Sequence, residues 1–321
     1  MSLIRILQQE IPATVIDETE LHLRAKSILP GISLKQVTHE LLLELREQVG
    51  MELTTAFLYD SVLNRSSEQR FYKNFFSYSP ETGKFAKIKG KVFIVPAGFY
   101  RELPEYAGDG SVVVSAAKKF GLESQVIPVR SEGRIKENSK IIHETLEKEE
   151  GNFFVFSFSK GGADFRVFLE TYPHLVKKIK LWVSICGIHK GNPLADRLTS
   201  KSSLGAFFVK SVLNVFGMEK EYITDFSSRS AVLSPKIQVP KDLKTLSVVG
   251  FPIESHLKGT IRGRYKYLSK FGPNDGMTLL LDAILPHSKI IPVWGADHYF
   301  RTPKISNIIY QIFHAIHKGW I

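Results

Sequence analysis

The chain has 321 residues, 43 % of them hydrophobic and 23 % charged, a balance that supplies a core and excludes disordered, collagen-like and repeat architectures. Its formal net charge is +11, and that excess is local: residues 176–270 carry 17 basic and 6 acidic side chains, and the rest of the chain is neutral. Such a segment faces an anionic partner or is a solvated face.

The first 85 residues read as helical. Ser33-Leu-Lys-Gln36 is a capping-box pattern that leads into an amphipathic run, Val37 to Arg46, ended near Gly50. Further helical stretches cover 54–63 and 68–76. Ser79-Pro-Glu-Thr-Gly83 is a turn cluster and marks the expected boundary between an N-terminal extension, 1–85, and a second unit, 86–321.

Beyond it, short strands alternate with helices. Strands are expected at 91–95, 124–129, 152–158, 179–186, 244–251 and 290–293. Helices are expected at 111–120, 135–149, 163–171, 277–285 and 305–317. This alternation predicts an α/β fold, a mostly parallel sheet with helices on both faces. Residues 188–240 break the rhythm with no strand of their own. They include the apolar run Leu204 to Met218, bordered by Lys201, Lys210 and Lys220. This insertion, about 188–240, is expected to form a helical lid, with Phe207, Phe208, Lys201 and Lys210 facing substrate or an anionic membrane surface. The alternative is a buried core helix.

No apolar run reaches the ~18 residues a spanning helix needs. The start, Met1 to Glu10, is too short and polar for a secretory core segment. The one cysteine, Cys186, excludes an internal disulfide and a cysteine-rich zinc site. The chain therefore reads as cytoplasmic, with membrane contact only at the periphery. No Walker A or G-x-G-x-x-G pattern occurs, so neither a nucleotide cofactor nor any other cofactor is expected.

The strongest local motif is Ser157-Phe-Ser159-Lys160-Gly161-Gly162, directly after the most apolar strand and directly before a helix. A turn this tight exposes Ser159 and needs small neighbours, and it aims the next backbone N–H at the same point. The motif resembles the nucleophile elbow of the α/β-hydrolase family, in its lipase- and esterase-like branch, with Ser157 in place of the first glycine. The resemblance covers about residues 88–318 and implies a serine, acid and histidine in that chain order.

Among ten histidines, only His298 stands just after a late strand, in Val293-Trp-Gly-Ala-Asp-His298. It resembles the family's histidine loop. Gly272-Pro-Asn-Asp275-Gly276 resembles the family's N-D-G acid segment, so Asp275 is the expected acid; as a bland alternative it caps a helix. Asp282 and Asp297 are poorer choices. The resemblance also points to the backbone N–H groups of Phe99 and Lys160 as an oxyanion hole, Phe99 lying in Pro96-Ala-Gly-Phe99 after an early strand. His189 is given no catalytic role. His314 and His317, three apart on a helix, lack a third ligand, so no metal is expected. These residues imply a serine hydrolase that cleaves carboxylic esters, preferably lipid-like, through an acyl-enzyme. Thioesterase, amidase or acyltransferase chemistry on the same residues stays open, as does a non-catalytic lipid-binding protein. A small-molecule or lipid ester is the expected partner, and nucleic acid is not.

Overall fold

The structure is a computed structural model that describes residues 17–79, 85–199, 220–233, 236–300 and 304–321. Of the expected lid, 188–240, the stretches 200–219 and 234–235 lie outside these residues, and Lys201, Phe207, Phe208 and Lys210 lie outside with them.

Six parallel strands make one sheet: β1 (Lys91–Val95), β2 (Glu123–Val126), β3 (Phe153–Phe158), β4 (Ile179–Ile185), β5 (Thr245–Phe251) and β6 (Lys289–Trp294). Their order is β2-β1-β3-β4-β5-β6. The chain thus steps outward from β1 to β2, returns past β1 to β3, and continues in the other direction. That reversal opens a crevice at the strand ends between β1 and β3, the usual ligand position in open parallel sheets.

The apolar strands alternate faces with period two. Phe93, Val95, Phe153, Val155 and Trp182 look toward α6 (Ile135–Glu147) and α7 (Lys160–Thr171). Ile94, Phe154, Phe156, Val183 and Val248 look the other way. There they meet α5 (Ser111–Lys119) and α11 (Lys304–His317), together with the early helices α1 (Glu18–Ile28), α2 (His39–Val49), α3 (Met51–Leu63) and α4 (Gln69–Ser77). A common apolar core thus joins residues from before and after the expected boundary. Polar ties reinforce it: Glu18 accepts from the Trp294 indole N–H at 2.7 Å, and Lys289 reaches Glu68 at 2.6 Å. Phe156, fully buried on a central strand, packs its ring 5.3 Å from that of Phe313. Phe156→Ala is expected to destabilise the fold by about 3–5 kcal/mol in urea unfolding, the usual cost of emptying so enclosed a site.

Three expectations need correction. The capping box at Ser33 closes only a short 3₁₀ turn, Leu34–Gln36; α2 starts later, with Thr38 Oγ1 accepting the Leu41 N–H. The second strand stops at Val126, where its ladder with β1 ends. The segment 277–285 is not an α-helix. Asp275 Oδ1 takes the N–H groups of Met277 and Thr278, and the backbone then bridges Asn274 to Leu279 before a 3₁₀ turn, Leu280–Ala283. A short carboxylate that captures nearby N–H groups competes with helix formation in this way.

Within the interrupted region lie α8 (Pro193–Thr199) and α9 (Lys220–Thr224). The helix α10 (Thr260–Leu268), with Gly263 in its interior, has no counterpart among the elements expected from the sequence. No helix among the described residues is long and apolar enough to cross a membrane.

Candidate active site

Ser159 sits between the end of β3 and the start of α7. Its backbone is left-handed, φ 47°, an uncommon and strained state for a residue with a Cβ. The surroundings hold it there: its N–H donates to Ile185 O at 3.0 Å, and its carbonyl accepts from Gly162 and Ile188. The glycines that follow are sterically required. A Cβ on Gly161 would lie 2.5 Å from the carbonyl oxygens of Val95 and Pro96, and one on Gly162 would lie 2.9 Å from Gly187 Cα.

The turn presents Ser159 Oγ 2.8 Å from His298 Nε2. On the other side of the ring, His298 Nδ1 lies 2.8 Å from Asp275 Oδ2. Because a carboxylate only accepts, Nδ1 carries the proton and Nε2 is left to accept from the serine hydroxyl. Three loops build this chain, after β3, before the 3₁₀ turn and after β6, and the His298 N–H also donates to Asp275 O at 3.0 Å. Asp275 is fully buried and His298 nearly so, whereas Ser159 is half-buried and faces a cavity. Both Asp275 oxygens are occupied, Oδ1 by backbone and Oδ2 by the imidazole, so the carboxylate has one orientation.

The other sequence candidates have different surroundings. Ser157 is fully buried, and its Oγ accepts the Trp182 indole N–H at 2.8 Å. Asp282 forms an ion pair with Lys190 at 2.8 Å and lies 3.3 Å from His39. Burial works to raise its pKa, but His39 and Lys190 together hold it below the usual carboxylate range. Asp297 Oδ1 accepts the Tyr299 N–H within its own turn. His189 is fully buried beside Ser184 Oγ, and burial pushes it down to about 3, so it is neutral. His314 stacks on Tyr78 with ring centroids 3.8 Å apart. Among the described residues, one surface group offers three possible metal-ligand atoms within 4.8 Å of one another: His143, Glu147 and His174. It lies on α6 and the turn before β4.

The expected oxyanion donors fare unevenly. Lys160 is the first residue of α7, where backbone N–H groups have no helical acceptor. The Phe99 N–H, in contrast, donates to Ser131 O at 3.2 Å, so it is engaged elsewhere in this conformation. Sequence reasoning missed a group beside it. A Cβ on Gly98 would lie 2.6 Å from the Tyr222 hydroxyl and 3.1 Å from Lys160 Cδ, so the phenol sits directly against the loop after β1. Tyr222 is 92 % buried on α9, and burial first, then the charge of Asp164, pushes its pKa well up, so its hydroxyl keeps its proton at neutral pH and can donate. The Lys160 ammonium beneath it is neutralised by Asp164, at 2.8 and 2.7 Å. Burial raises Asp164 to about 6, against the pull of Lys160 and Asn138. No motif marks Tyr222, because it reaches the site from a helix far along the chain.

Ser159 and His298 form part of the wall of a cavity of about 920 Å³. Most of the remaining wall is apolar, with Leu103, Val112, Phe158, Ile188, Leu198 and Phe226 prominent. Cys186, also in the wall, donates its thiol to His298 O at 3.0 Å; burial keeps that thiol protonated.

No protein-family model and no curated protein matches the sequence. Solved structures do resemble the fold. A carboxyl esterase of metagenomic origin is 19 % identical, with a TM-score of 0.50 over 73 % of this chain and 76 % of its own. The mature lipase of Bacillus licheniformis is 17 % identical, with a TM-score of 0.50 over 72 % of this chain and 91 % of its own.

Proposed function

We propose that this protein, which has the α/β-hydrolase fold, is a serine hydrolase that cleaves carboxylic esters with an apolar, lipid-like body. The observation that carries the reading is the hydrogen-bonded chain from Ser159 through His298 to Asp275, at 2.8 Å for each link, opening into an apolar cavity. A serine hydroxyl is a weak nucleophile at neutral pH, and a base oriented by an acid is what activates it.

In the proposed reaction, Ser159 Oγ attacks the ester carbonyl carbon while its proton passes to His298 Nε2. The carbonyl oxygen becomes an oxyanion, and Asp275 stabilises the imidazolium. Collapse breaks the bond to the alcohol, which leaves with the proton from His298. Water then attacks the acyl-enzyme, gives its proton to His298, and the acid is released as Ser159 regains a proton. Two donors face the oxyanion in this reading, the Lys160 N–H and the Tyr222 hydroxyl. Tyr222→Phe removes only that hydroxyl and is expected to lower kcat by about 10²–10³-fold with little change in KM. An unchanged kcat returns the second position to Phe99, after release of its bond to Ser131 O.

The apolar wall favours lipid-like esters over polar ones. The deciding experiment is labelling with a fluorophosphonate, alongside hydrolysis of p-nitrophenyl esters of graded chain length. Wild type is expected to label at one serine and to hydrolyse the esters, and Ser159→Ala to do neither. Labelling of another serine, or none, rejects the reading.

A further inference from the structure

Among the described residues, the charged side chains in the cavity wall are all cationic: Lys160, Arg197 and Arg264 line it, and no aspartate or glutamate does. Two of these three have evident partners. Lys160 is held by Asp164, and the Arg197 guanidinium lies 4.4 Å from the centroid of the Tyr267 ring. Arg264 differs.

Helix α10 carries Arg262, Arg264 and Lys266. Arg262 and Lys266 are four apart, so they share a face, and both pair with Glu254, Lys266 at 3.0 Å. Arg264, two residues from each, projects from the opposite side of the helix into the cavity wall. There its Nη1 donates to the Tyr299 hydroxyl at 2.7 Å and to Met277 Sδ at 3.0 Å. Tyr299 is itself stacked on Tyr106, with ring centroids 4.2 Å apart and planes at 12°. The guanidinium is thus fixed through one nitrogen. Its other edge, Nε and Nη2, meets no carboxylate and no acceptor among the described residues. That edge is the planar two-donor fork that fits a carboxylate or phosphate in bidentate fashion. Arg264 belongs to the wall that contains Ser159 and His298, and Tyr299 directly follows His298 in the chain.

We propose that Arg264 is a specificity-determining residue that binds an anionic oxygen group, carboxylate or phosphate, carried on the apolar body of the substrate. The proposal rests on the esterase reading for the position of the cleaved bond. A part-buried cation that meets no carboxylate among the described residues, beside an apolar wall, is costly to desolvate, and a ligand that combines an apolar chain with an anion satisfies both surfaces.

Two matched pairs of esters test this and separate the two sources of the anion. The p-nitrophenyl monoester of suberic acid is compared with p-nitrophenyl octanoate, for a carboxylate on the acyl side. Monooleoylglycerol phosphate is compared with monooleoylglycerol, for a phosphate on the alcohol side. In at least one pair the anionic member is expected to have the higher kcat/KM, by about 10- to 100-fold, as charge-assisted bidentate bonds supply. Arg264→Gln is expected to bring that ratio close to one, and Arg264→Lys, a point charge without the fork, to keep part of it. Preferences below about five-fold in both pairs overturn the proposal, since an exposed ion pair already gives that much. So does a preference that survives in Arg264→Gln. Calorimetric binding of the same esters to Ser159→Ala, with and without Arg264→Gln, keeps the two readings apart. Selective binding without hydrolysis by wild type retains the Arg264 site and rejects the esterase; hydrolysis without preference does the reverse.

Discussion

Alanine in place of Ser159 is expected to lower ester turnover by about 10⁴–10⁶-fold while leaving the melting temperature and circular dichroism near those of wild type. The loss is large because the attacking oxygen itself is removed; the residual rate comes only from binding and from the oxyanion donors. The fold is expected to tolerate the change for a local reason. The strain at φ 47° falls on any residue with a Cβ, so serine and alanine bear it alike, and the bonds that hold the turn are made by the backbone of Ser159. Among the described residues the hydroxyl has one hydrogen-bond partner, His298 Nε2. Ser157, two residues earlier, is a poor substitute: it is fully buried, and its oxygen is engaged by the Trp182 indole. Retention of more than a few per cent of wild-type kcat in Ser159→Ala would place the nucleophile elsewhere and reject the proposed mechanism.

The sheet was legible in the sequence because buried parallel strands are short continuous apolar runs. Phe153 to Phe158 is such a run, and it is buried along its whole length. Ser159 was legible for a related reason: Gly161 and Gly162 are the only residue type that the backbone clearances allow, so the turn leaves a trace in the chain. Asp275 and His298 are marked in the sequence by the loops they occupy. What stayed hidden depended on contacts distant in sequence. The segment after Asp275 has a helical pattern, yet the aspartate side chain takes the N–H groups a helix would need. Helix α10 was obscured by the interior Gly263 and its many charges, and the role of Arg264 follows only from the partner that Glu254 gives to its neighbours. The engagement of the Phe99 N–H by Ser131 and the approach of Tyr222 to Gly98 join segments that no local pattern connects.

Asp275→Asn is expected to reduce kcat by about 10³–10⁴-fold with the fold retained. The argument concerns where protons sit. In wild type, Oδ1 accepts two backbone N–H groups, from Met277 at 2.9 Å and Thr278 at 2.8 Å, and Oδ2 accepts from the imidazole. An asparagine that keeps its oxygen toward the backbone turns its amide N–H₂ toward His298 Nδ1. The ring must then carry its proton on Nε2, where it can no longer accept from Ser159 Oγ. The flipped amide restores the acceptor for the ring, but it points two donors at two backbone donors inside a fully buried site, which costs about 1–3 kcal/mol for each group left unsatisfied. Either orientation also removes the negative charge that stabilises the imidazolium. The same change at the other two acids supplies the control. Asp282 is occupied by Lys190 and His39, and Asp297 by the N–H of Tyr299, so Asp282→Asn and Asp297→Asn are expected to leave kcat within about ten-fold of wild type, far above the loss expected for Asp275→Asn. Should Asp297→Asn prove the severe variant and Asp275→Asn the mild one, the acid that orients His298 is Asp297, and the hydrogen bond to Asp275 is structural.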